Sequence, residues 1–443
     1  MYPNLYYWFK DWFGVEVQSL QYLNSFGLMV AIAFAIAAWL LTLELKRKQR
    51  LGLLTFQEET MMVGMPASVS ELATNGMLGF LFGYKILGLF ISKPPEINPQ
   101  DYIFSGQGNW LGGLVLGGVM LYLKWQEKNK QKLAVPEKRS LRIWPHDRVG
   151  DIIVLGLVFG ILGAKLFDNF EHWDEFIADP IGRLFSQSGL TFYGGLIVAS
   201  IAILMFARRK GIAIAHLVDA AAPALMLAYA VGRLGCQISG DGDWGVYNSA
   251  YVSDNSGHVR VATPGAFDSS LKNNETYFLK GAVVESNQYV FVTDRTYPTL
   301  SDVPHRSIKA PSWLPVWMIA YAYPQNVNKD GIQMPGIADE HNRVLPSPVF
   351  PTPFYETLLG TVLFFVLWSL RTRIRRPWLL FSIYLFLNGM ERFCIEFLRV
   401  NAVYDVSGNL QFSQAQLIAI GLMVLGLALP FFSRYFPQHK RSD

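Results

Sequence analysis

Long apolar blocks separated by short polar loops dominate the pattern of hydrophobic and polar positions along the chain. The first block runs from Phe26 to Leu45, which is long enough for a helix to cross the roughly 30 Å hydrocarbon layer of a bilayer. The blocks lie near residues 26–45, 75–92, 109–124, 150–170, 189–207, 212–235, 354–370, 377–399 and 413–432. Their recurrence predicts an all-α polytopic membrane protein with about nine transmembrane helices.

One loop differs from the others in length and composition. Residues 246–350 are polar, rich in Pro, Asn, Asp and Ser, and contain short runs of β-favouring residues such as 289–293. This punctuation is typical of a small β-containing insert. The shorter stretch 125–147 is instead predicted to be a solvated cytoplasmic linker.

The short loops carry most of their positive charge on one side of the predicted membrane. Clusters of Lys and Arg follow every second block, at residues 46–50, 124–148, 208–210, 371–376 and 434–441. The positive-inside rule therefore predicts a periplasmic N terminus and a cytoplasmic C terminus. The insert 246–350 then lies in the periplasm, and its length exempts its own cations from the rule.

These patterns divide the chain into five predicted regions. Residues 1–25 are acidic and aromatic without a basic leader, so we expect an interfacial segment ahead of the first span rather than a signal peptide. The regions are 1–45 (this segment and the first span), 46–148 (linkers and two further spans), 149–245 (core spans), 246–350 (the insert) and 351–443 (core spans).

Composition narrows the possible function classes. Of 443 residues, 51% are hydrophobic and 16% are charged, whereas soluble domains carry about 25% charged residues. The net charge of +4 is small and gathered in loops, which favours orientation in a membrane over nucleic-acid binding. The seven His and two Cys residues form no ligand-like cluster, so we predict no metal and no cofactor.

Glycines recur at four-residue spacing in three of the predicted spans. In lipid, such small-xxx-small pairs let helix backbones approach closely, so we expect them to serve packing. The pairs are Gly79/Gly83, Gly113/Gly117 and Gly156/Gly160.

Ionisable residues inside spans are costly, so each needs a partner, a water-filled cavity or a function. They are Lys165 and Asp168 in the fourth block, Asp219 and Arg233 in the sixth, and Glu391, Arg392, Glu396 and Arg399 in the eighth. The last three stand at i, i+4 and i+7 and share one helical face. The predicted topology puts that face and Arg233 at outer-leaflet depth, where two guanidiniums suit a phospholipid phosphate. Alternatively, the arginines pair with Glu396 and Asp241 to lock the bundle, or extend to the interface.

Two glycine-containing segments are predicted at the same outer level. Residues 232–245 contain five glycines, which allow close backbone approach to a ligand or positive φ angles, unless they only loosen the helix exit. Tyr193 precedes Gly194 and Gly195 at the start of the fifth block. Its phenol suits a hydrogen bond to a headgroup or proton transfer, and equally an anchoring role at the interface.

Taken in order, these segments resemble the prolipoprotein diacylglyceryl transferase family. Residues 217–245, with Asp219, Pro223 and Gly232-Arg233-Leu234-Gly235, look like its signature, an Asp-x-x-Ala-Pro helix leading into Gly-Arg-x-Gly-Asn and a glycine-rich acidic loop. Residues 190–195 are similar to its Ser-Phe-His-Gly-Gly segment, 351–356 to its Pro-Thr/Ser-Gln-x-Tyr-Glu box, 392–399 to its Arg-Phe-x-x-Glu-x-x-Arg helix and 25–29 to its first span.

The resemblance implies a reaction and a location. The family moves the diacylglyceryl group of phosphatidylglycerol onto the lipobox cysteine thiol of a preprolipoprotein signal peptide and releases glycerol phosphate, in the bacterial inner membrane. The resemblance implies catalytic roles for Arg233, Arg392 and Tyr193, with no cofactor. It implies substrate-binding roles for Gly194, Gly195, Asp219, Gly240, Asp241, Gly245, Tyr355, Glu356, Glu396 and Arg399.

The chain departs from the family pattern at several positions. Tyr193 stands where the family usually has His, and a tyrosine side chain, with an unperturbed pKa of about 10, is a poor base at neutral pH. Cys236 replaces the usual Asn, and Lys165 an expected Arg. The segments 75–92 and 109–124 and the insert are expected to have no counterpart in the family's core.

Two other functions stay open on the sequence. A divergent family member could act on another acceptor or bind lipid without catalysis. A secondary transporter would also carry intramembrane charges and glycine-rich helix ends. The sequence has no internal repeat, however, and its charges gather near one predicted face rather than the midplane.

Overall fold

The computed structural model describes residues 1–91, 102, 106–185, 191–279, 296–337, 339–401, 403–407 and 410–432. In this part of the chain, helices α1 to α15 span Leu5–Phe13, Ser25–Arg50, Val69–Phe82, Gly88–Ile91, Trp110–Gln131, Val149–Glu171, Trp173–Ala178, Pro180–Phe185, Phe192–Arg209, Ile214–Ser239, Ala266–Asn273, Glu275–Phe278, Thr352–Leu370, Leu379–Glu396 and Gln414–Phe432. Strands β1 to β10 span Gln57–Val63, Glu137–Ile143, Tyr247–Asn248, Tyr251–Ser253, Val259–Val261, His305–Arg306, Ile332–Gln333, Arg343–Val344, Val403–Ser407 and Leu410–Ser413.

Six of the described helices, α2, α6, α9, α10, α13 and α15, are long and apolar enough to cross a membrane. They confirm the prediction of a polytopic membrane protein. The other three predicted blocks are helical too, in α3 with α4, in α5 and in α14. Helix α14 is not among the six because it carries three charged residues, Glu391, Arg392 and Glu396, which is more than a candidate membrane span is allowed. The count of nine spans and the orientation of the termini stay predictions.

The chain forms two compact units. The first comprises residues 1–16, 23–41 and 215–443, and the second comprises residues 17–22 and 42–214. In the first unit α14 packs against both α13 and α15. A side chain at Gly389 of α14 would lie 2.7 Å from the Ala419 carbonyl oxygen of α15, so the two backbones are close.

In the second unit, α3 packs on α5 and α6 packs on α9. The packing role predicted for the first two glycine pairs is confirmed, because a Cβ on any of the four would collide with the facing helix. The third pair behaves differently. A Cβ on Gly160 would meet nothing within 4 Å, whereas one on Gly163 would lie 2.5 Å from the Gly194 carbonyl oxygen of α9. Gly163 therefore marks the contacting face of α6.

The predicted linker 125–147 is more ordered than its composition indicates. Helix α5 continues to Gln131, and β2 then pairs with β1 in antiparallel register. Both strands are mostly polar, so apolar periodicity gives no signal of them. One opposed pair is oppositely charged: Glu58 lies opposite Arg142 with 3.4 Å between carboxylate and guanidinium, and such a pair stabilises a sheet by a few tenths of a kcal/mol.

The polar stretch 246–350 contains six short strands, as the prediction of a β-containing insert requires. Strands β3 and β6 pair in parallel, and β4–β5 and β7–β8 pair antiparallel. The helices α11 and α12 add to these strands, and an apolar core that includes Trp244, Tyr247 and Phe278 holds them together. The run 289–293 lies outside the described residues, and the periplasmic location of the insert stays a prediction.

Candidate functional site

Six charged side chains meet at one end of three helices of the first unit. Helices α10 and α14 end there, and α13 begins there. The side chains are Arg233 near the end of α10, Asp243 in the following loop, Glu356 near the start of α13, Arg392 and Glu396 on α14, and Arg399 just beyond it.

Glu356 is the centre of this cluster. Its side chain has no exposed surface, and its two oxygens face three guanidiniums. Oε2 lies 3.3 Å from Nε of Arg233, while Oε1 lies 3.1 Å from Nη1 of Arg392 and 3.6 Å from Nη1 of Arg399. One carboxylate thus fixes the relative positions of all three arginines.

Two further carboxylates each bridge a pair of the arginines. Asp243 lies 3.2 Å from Nη1 of Arg233 and also pairs with Nη2 of Arg399. Glu396 lies 3.1 Å from Nη2 of Arg392 and 4.0 Å from Nε of Arg399. The hydroxyl of Ser413, which precedes α15, donates to Glu396 over 2.7 Å. The cluster is therefore a connected network and not a set of separate pairs.

Three guanidiniums meet three carboxylates in direct ion pairs. That pairing matters because an unpaired charge at membrane depth is costly, and breaking a buried pair strands its partner. The arginines differ in exposure: Arg399 is 5% exposed, whereas Arg233 and Arg392 are each 20% exposed. A guanidinium has five N–H donors, so Arg233 and Arg392 can keep their carboxylate contacts and still offer donors to an anion.

The loop that carries Asp243 is held by backbone contacts at both sides. The Gly245 N–H donates to the Phe350 carbonyl over 2.8 Å, and the Val246 N–H donates to the Leu398 carbonyl over 2.8 Å. A Cβ on Gly245 would lie 2.7 Å from that Leu398 oxygen. Asp243 itself has φ 99°, a conformation that costs a non-glycine residue free energy. The fold therefore holds a strained residue where its carboxylate reaches two arginines.

The two aspartates of this loop differ in electrostatics. Burial, reinforced by the charge of Asp243, raises the pKa of Asp241. Burial acts on Asp243 in the same direction, but the guanidiniums of Arg399 and Arg233 outweigh it and lower the pKa of Asp243. The acid that pairs with Arg233 is thus Asp243. The alternative stated from the sequence, in which the arginines form ion pairs, had named Asp241 as the partner.

Two more residues belong to the cluster, and the set of site residues predicted from the sequence omitted them. The hydroxyl of Tyr229 lies 3.2 Å from Oε1 of Glu356 and 3.2 Å from Oε2 of Glu391. A sequence signal existed for both. Tyr229 precedes Arg233 by one helical turn on α10, and Glu391 directly precedes Arg392 and is one of the ionisable residues of the eighth block.

Asp219 and Tyr355, two of the predicted substrate-binding residues, make hydrogen bonds to backbone groups of other segments. Asp219 accepts hydrogen bonds from the backbone N–H groups of Trp378 (3.0 Å) and Phe381 (2.9 Å), so it caps the start of α14. It stands fourteen residues before Arg233 on α10, which is about 21 Å along a helix. The structure thus does not place Asp219 in the cluster. The Tyr355 hydroxyl donates to the Met318 carbonyl over 2.6 Å.

A positive φ angle and a close side chain explain why position 240 is a glycine. Gly240 has φ 69°, and a Cβ there would lie 2.8 Å from that of Asn326. The carboxylate of Asp241, one residue on, lies 4.0 Å from Sγ of Cys236. Gly240 therefore serves the backbone turn that leaves α10.

Tyr193, Gly194 and Gly195 belong to the second unit, at the start of α9. A Cβ on Gly194 would lie 2.6 Å from the Gly163 carbonyl oxygen, and one on Gly195 would lie 2.8 Å from that of Gly160. Both glycines thus permit the close packing of α9 on α6. Their predicted role in binding substrate stays a prediction, as does the role of Tyr193.

No group of three or more His, Cys, Asp or Glu side chains is arranged to hold a metal ion in the described part of the chain.

Comparison with known proteins agrees with the resemblance seen in the sequence. The family model described as prolipoprotein diacylglyceryl transferase matches residues 109–432. The matched range contains the third predicted span and the insert 246–350, both of which were predicted to have no counterpart in the family's core. It also includes every member of the charged cluster.

Curated relatives match shorter parts of the chain. A phosphatidylglycerol–prolipoprotein diacylglyceryl transferase of Leptospira interrogans is 34% identical over 117 residues, covering 21% of this chain and 37% of the relative. Relatives of the same name from Dehalococcoides mccartyi and Bacillus cereus are each 30% identical, covering 33% and 28% of this chain and 54% and 44% of their own lengths. The chain thus spans about half or less of the length of these relatives. The family model, however, covers well over half of the 443 residues, and the chain belongs to the prolipoprotein diacylglyceryl transferase family.

Proposed function

We propose that this protein transfers the diacylglyceryl group of phosphatidylglycerol to the lipobox cysteine thiol of a preprolipoprotein, in the bacterial inner membrane. The observation that carries the proposal is the cluster around Glu356, which holds two partly exposed arginines at one end of a membrane-spanning bundle. The names of the curated relatives support the same reaction.

The reaction makes one bond and breaks one. The cysteine sulfur attacks the glyceryl carbon that carries the phosphodiester oxygen, and the bond between that carbon and oxygen breaks. Its electron pair leaves with glycerol phosphate, so negative charge grows on the phosphate. The thiol gives up its proton, because the thiolate is the nucleophile, and that proton ends on the released glycerol phosphate, whose negative charge has grown by one. The products are the thioether and glycerol phosphate.

In this proposal Arg233 and Arg392 bind the phosphate and stabilise the charge that grows on it. Guanidinium donors match phosphate oxygens in pairs, which favours arginine over lysine at such a site. Glu356 and Glu396 orient Arg392, and Asp243 and Glu356 orient Arg233. The carboxylates act as positioning groups, and Arg399, which is almost fully buried, fixes them.

The predicted orientation is part of the proposal. With the N terminus periplasmic and nine spans, α10 and α14 end at the outer leaflet, so the cluster lies at the depth of its phospholipid headgroups. A preprolipoprotein cysteine that emerges at this surface meets the lipid there. Tyr193, Gly194 and Gly195 are proposed to take part in substrate binding, on the family resemblance alone.

The test is the transfer reaction with purified protein in lipid nanodiscs. Phosphatidylglycerol and a lipobox peptide should yield a peptide heavier by one diacylglyceryl group on its cysteine, with glycerol phosphate released. A peptide with Ser in place of that Cys, and nanodiscs of phosphatidylcholine alone, are the negative controls. Arg233→Ala and Arg392→Ala should abolish transfer while the protein still folds. Well-folded parent protein that forms no thioether would refute the proposal.

A further inference from the structure

An exposed loop of the insert carries large apolar side chains that the charged cluster does not use. Residues 308–319 leave the insert and return to it, and we call them the aromatic loop. Ile308, Trp313, Val316 and Trp317 are 45%, 78%, 36% and 44% exposed. Such a concentration of exposed apolar groups on one short segment indicates a contact surface, whereas single exposed residues need no explanation.

The base of the aromatic loop is fixed by buried polar groups. Asn248 is fully buried, and its side-chain amide donates to the carbonyls of Ile308 (2.9 Å) and Ile319 (3.0 Å) while accepting from the Ile308 N–H. One side chain thus closes both ends of the loop. The Tyr251 hydroxyl accepts from the Ala310 N–H over 2.8 Å. The apolar side chains are therefore presented outward by a rigid base.

The aromatic loop is also tied to the start of a membrane-spanning helix. The Tyr355 hydroxyl donates to the Met318 carbonyl over 2.6 Å, and the rings of Trp317 and Phe354 meet edge to face with centroids 5.0 Å apart. Phe354 and Tyr355 lie in the first turn of α13. The loop therefore sits at the level where α13 enters the bilayer.

Two cations lie in or just before the aromatic loop. Lys309 lies in the loop and is exposed, and Arg306 just before it donates through Nη2 to the Phe397 carbonyl beyond the end of α14. Tryptophan favours the headgroup level of a bilayer, and Lys and Arg near the surface favour anionic lipids. The combination at the end of α13 fits a lipid surface.

We propose that the aromatic loop inserts into the interface of an anionic bilayer and anchors the insert to the membrane beside the charged cluster. The contact rests on Trp313 and Trp317 entering the headgroup region, with Lys309 at the level of lipid phosphates. It requires no substrate and no turnover, so it stands or fails independently of the proposed reaction.

Depth-dependent fluorescence quenching tests this directly. Cys394 is exposed and Cys236 is buried, so Cys394→Ser with Trp313→Cys gives one labelling position for an environment-sensitive fluorophore. The matched control is Ser256→Cys, an exposed turn of the same insert. Each labelled protein is placed in nanodiscs of phosphatidylserine and phosphatidylcholine, which are anionic but lack the proposed donor lipid, with a nitroxide near the headgroup end of the acyl chains and without peptide.

The label at position 313 should emit at shorter wavelength and be quenched at least about threefold more than the label at position 256, because only the former lies in the interface. Ser312→Cys, exposed and adjacent, should repeat the result if Trp313→Cys folds poorly. Quenching at 312 and 313 no stronger than at 256 would overturn the proposal. A blue shift that appears only after a lipobox peptide is added would also overturn it, by assigning the surface to peptide binding.

Discussion

The charged cluster of the first unit and the glycine contact of the second bring helices together by opposite means. At the cluster, three arginines and three carboxylates from four separate segments hold the ends of α10, α13 and α14. Between α6 and α9, Gly163 and Gly194 do so by having no side chain at all. Small residues suffice for packing in lipid. Buried charges add a desolvation cost that packing alone does not require, so their presence points to chemistry.

The largest effect should follow loss of the central carboxylate. Glu356→Gln leaves three guanidiniums facing two charged carboxylates, and breaking a buried ion pair in this way costs about 3–5 kcal/mol. We expect a lower midpoint of thermal unfolding in detergent and no measurable transfer. Glu340→Gln, whose carboxylate is 68% exposed, is the matched control and should behave like the parent. A Glu356→Gln protein as stable as the parent would show that the network contributes no stability.

Replacing the guanidinium of Arg392 by an ammonium should lower the transfer rate more than it lowers the stability of the fold. Nη1 and Nη2 of Arg392 contact two different carboxylates, each at 3.1 Å. A lysine ammonium keeps the charge but cannot span both and still bind a phosphate in paired fashion. We expect Arg392→Lys to reduce the transfer rate by about 100-fold, in the range for loss of one transition-state donor.

Arg375→Lys, in the exposed turn after α13, is the control for the general effect of the exchange. Parent-like transfer by Arg392→Lys would mean that only charge, and not the shape of the guanidinium, is needed at that position.

The two regions also differ in how far the sequence predicted them. Four-residue glycine spacing predicted a packing role for the glycines that form the α3–α5 contact, because the spacing depends on residues close together in one helix, but it did not predict which helices meet. In α6 the same spacing identified Gly156 and Gly160 and missed Gly163, because spacing alone does not show which face of a helix contacts its partner. The i, i+4, i+7 arrangement likewise placed Arg392, Glu396 and Arg399 together.

The sequence could not predict which residues of distant segments contact each other. Asp241 and Asp243 are the same residue type two positions apart, and the structure shows that Asp243, which has a positive φ, is the one that pairs with Arg233 and Arg399. Asp219 was grouped with the site because of its motif, yet its hydrogen bonds cap α14. The strands β1 and β2 lack apolar alternation, so their pairing became visible only in three dimensions.

A smaller effect should separate the two glycines of α6. A Cβ on Gly163 would lie 2.6 Å from that of Val198 on α9, and overpacking of this kind costs about 1–3 kcal/mol. We expect Gly163→Ala to lower the unfolding midpoint. Gly160→Ala is the matched control on the same helix, because its added methyl meets nothing within 4 Å. Equal destabilisation by both changes would mean that the α6–α9 contact at Gly163 does not set the cost, since helix propensity favours Ala over Gly at both positions.

The smallest effect should come from the two loop aspartates, which we expect to act with opposite sign. The lowered pKa of Asp243 means that its ionised form stabilises the fold above the ordinary carboxyl range and that this contribution is lost as pH falls through the lowered value. Asp243→Asn should therefore be less stable than the parent at pH 7, and the difference should shrink on acidification.

The raised pKa of Asp241 has the opposite effect on stability, because ionisation of Asp241 above about pH 4 opposes folding. Asp241→Asn should thus be slightly more stable than the parent at pH 7 and no different below pH 4. Both changes should stay below about 1 kcal/mol, since Asp243 is 46% exposed and water screens its pairs. Unfolding midpoints of the parent and the two variants from about pH 2 to pH 8 measure this, because the lowered pKa of Asp243 lies below the ordinary carboxyl value of about 4. Shifts of the same sign at pH 7 would contradict the division of roles within the loop.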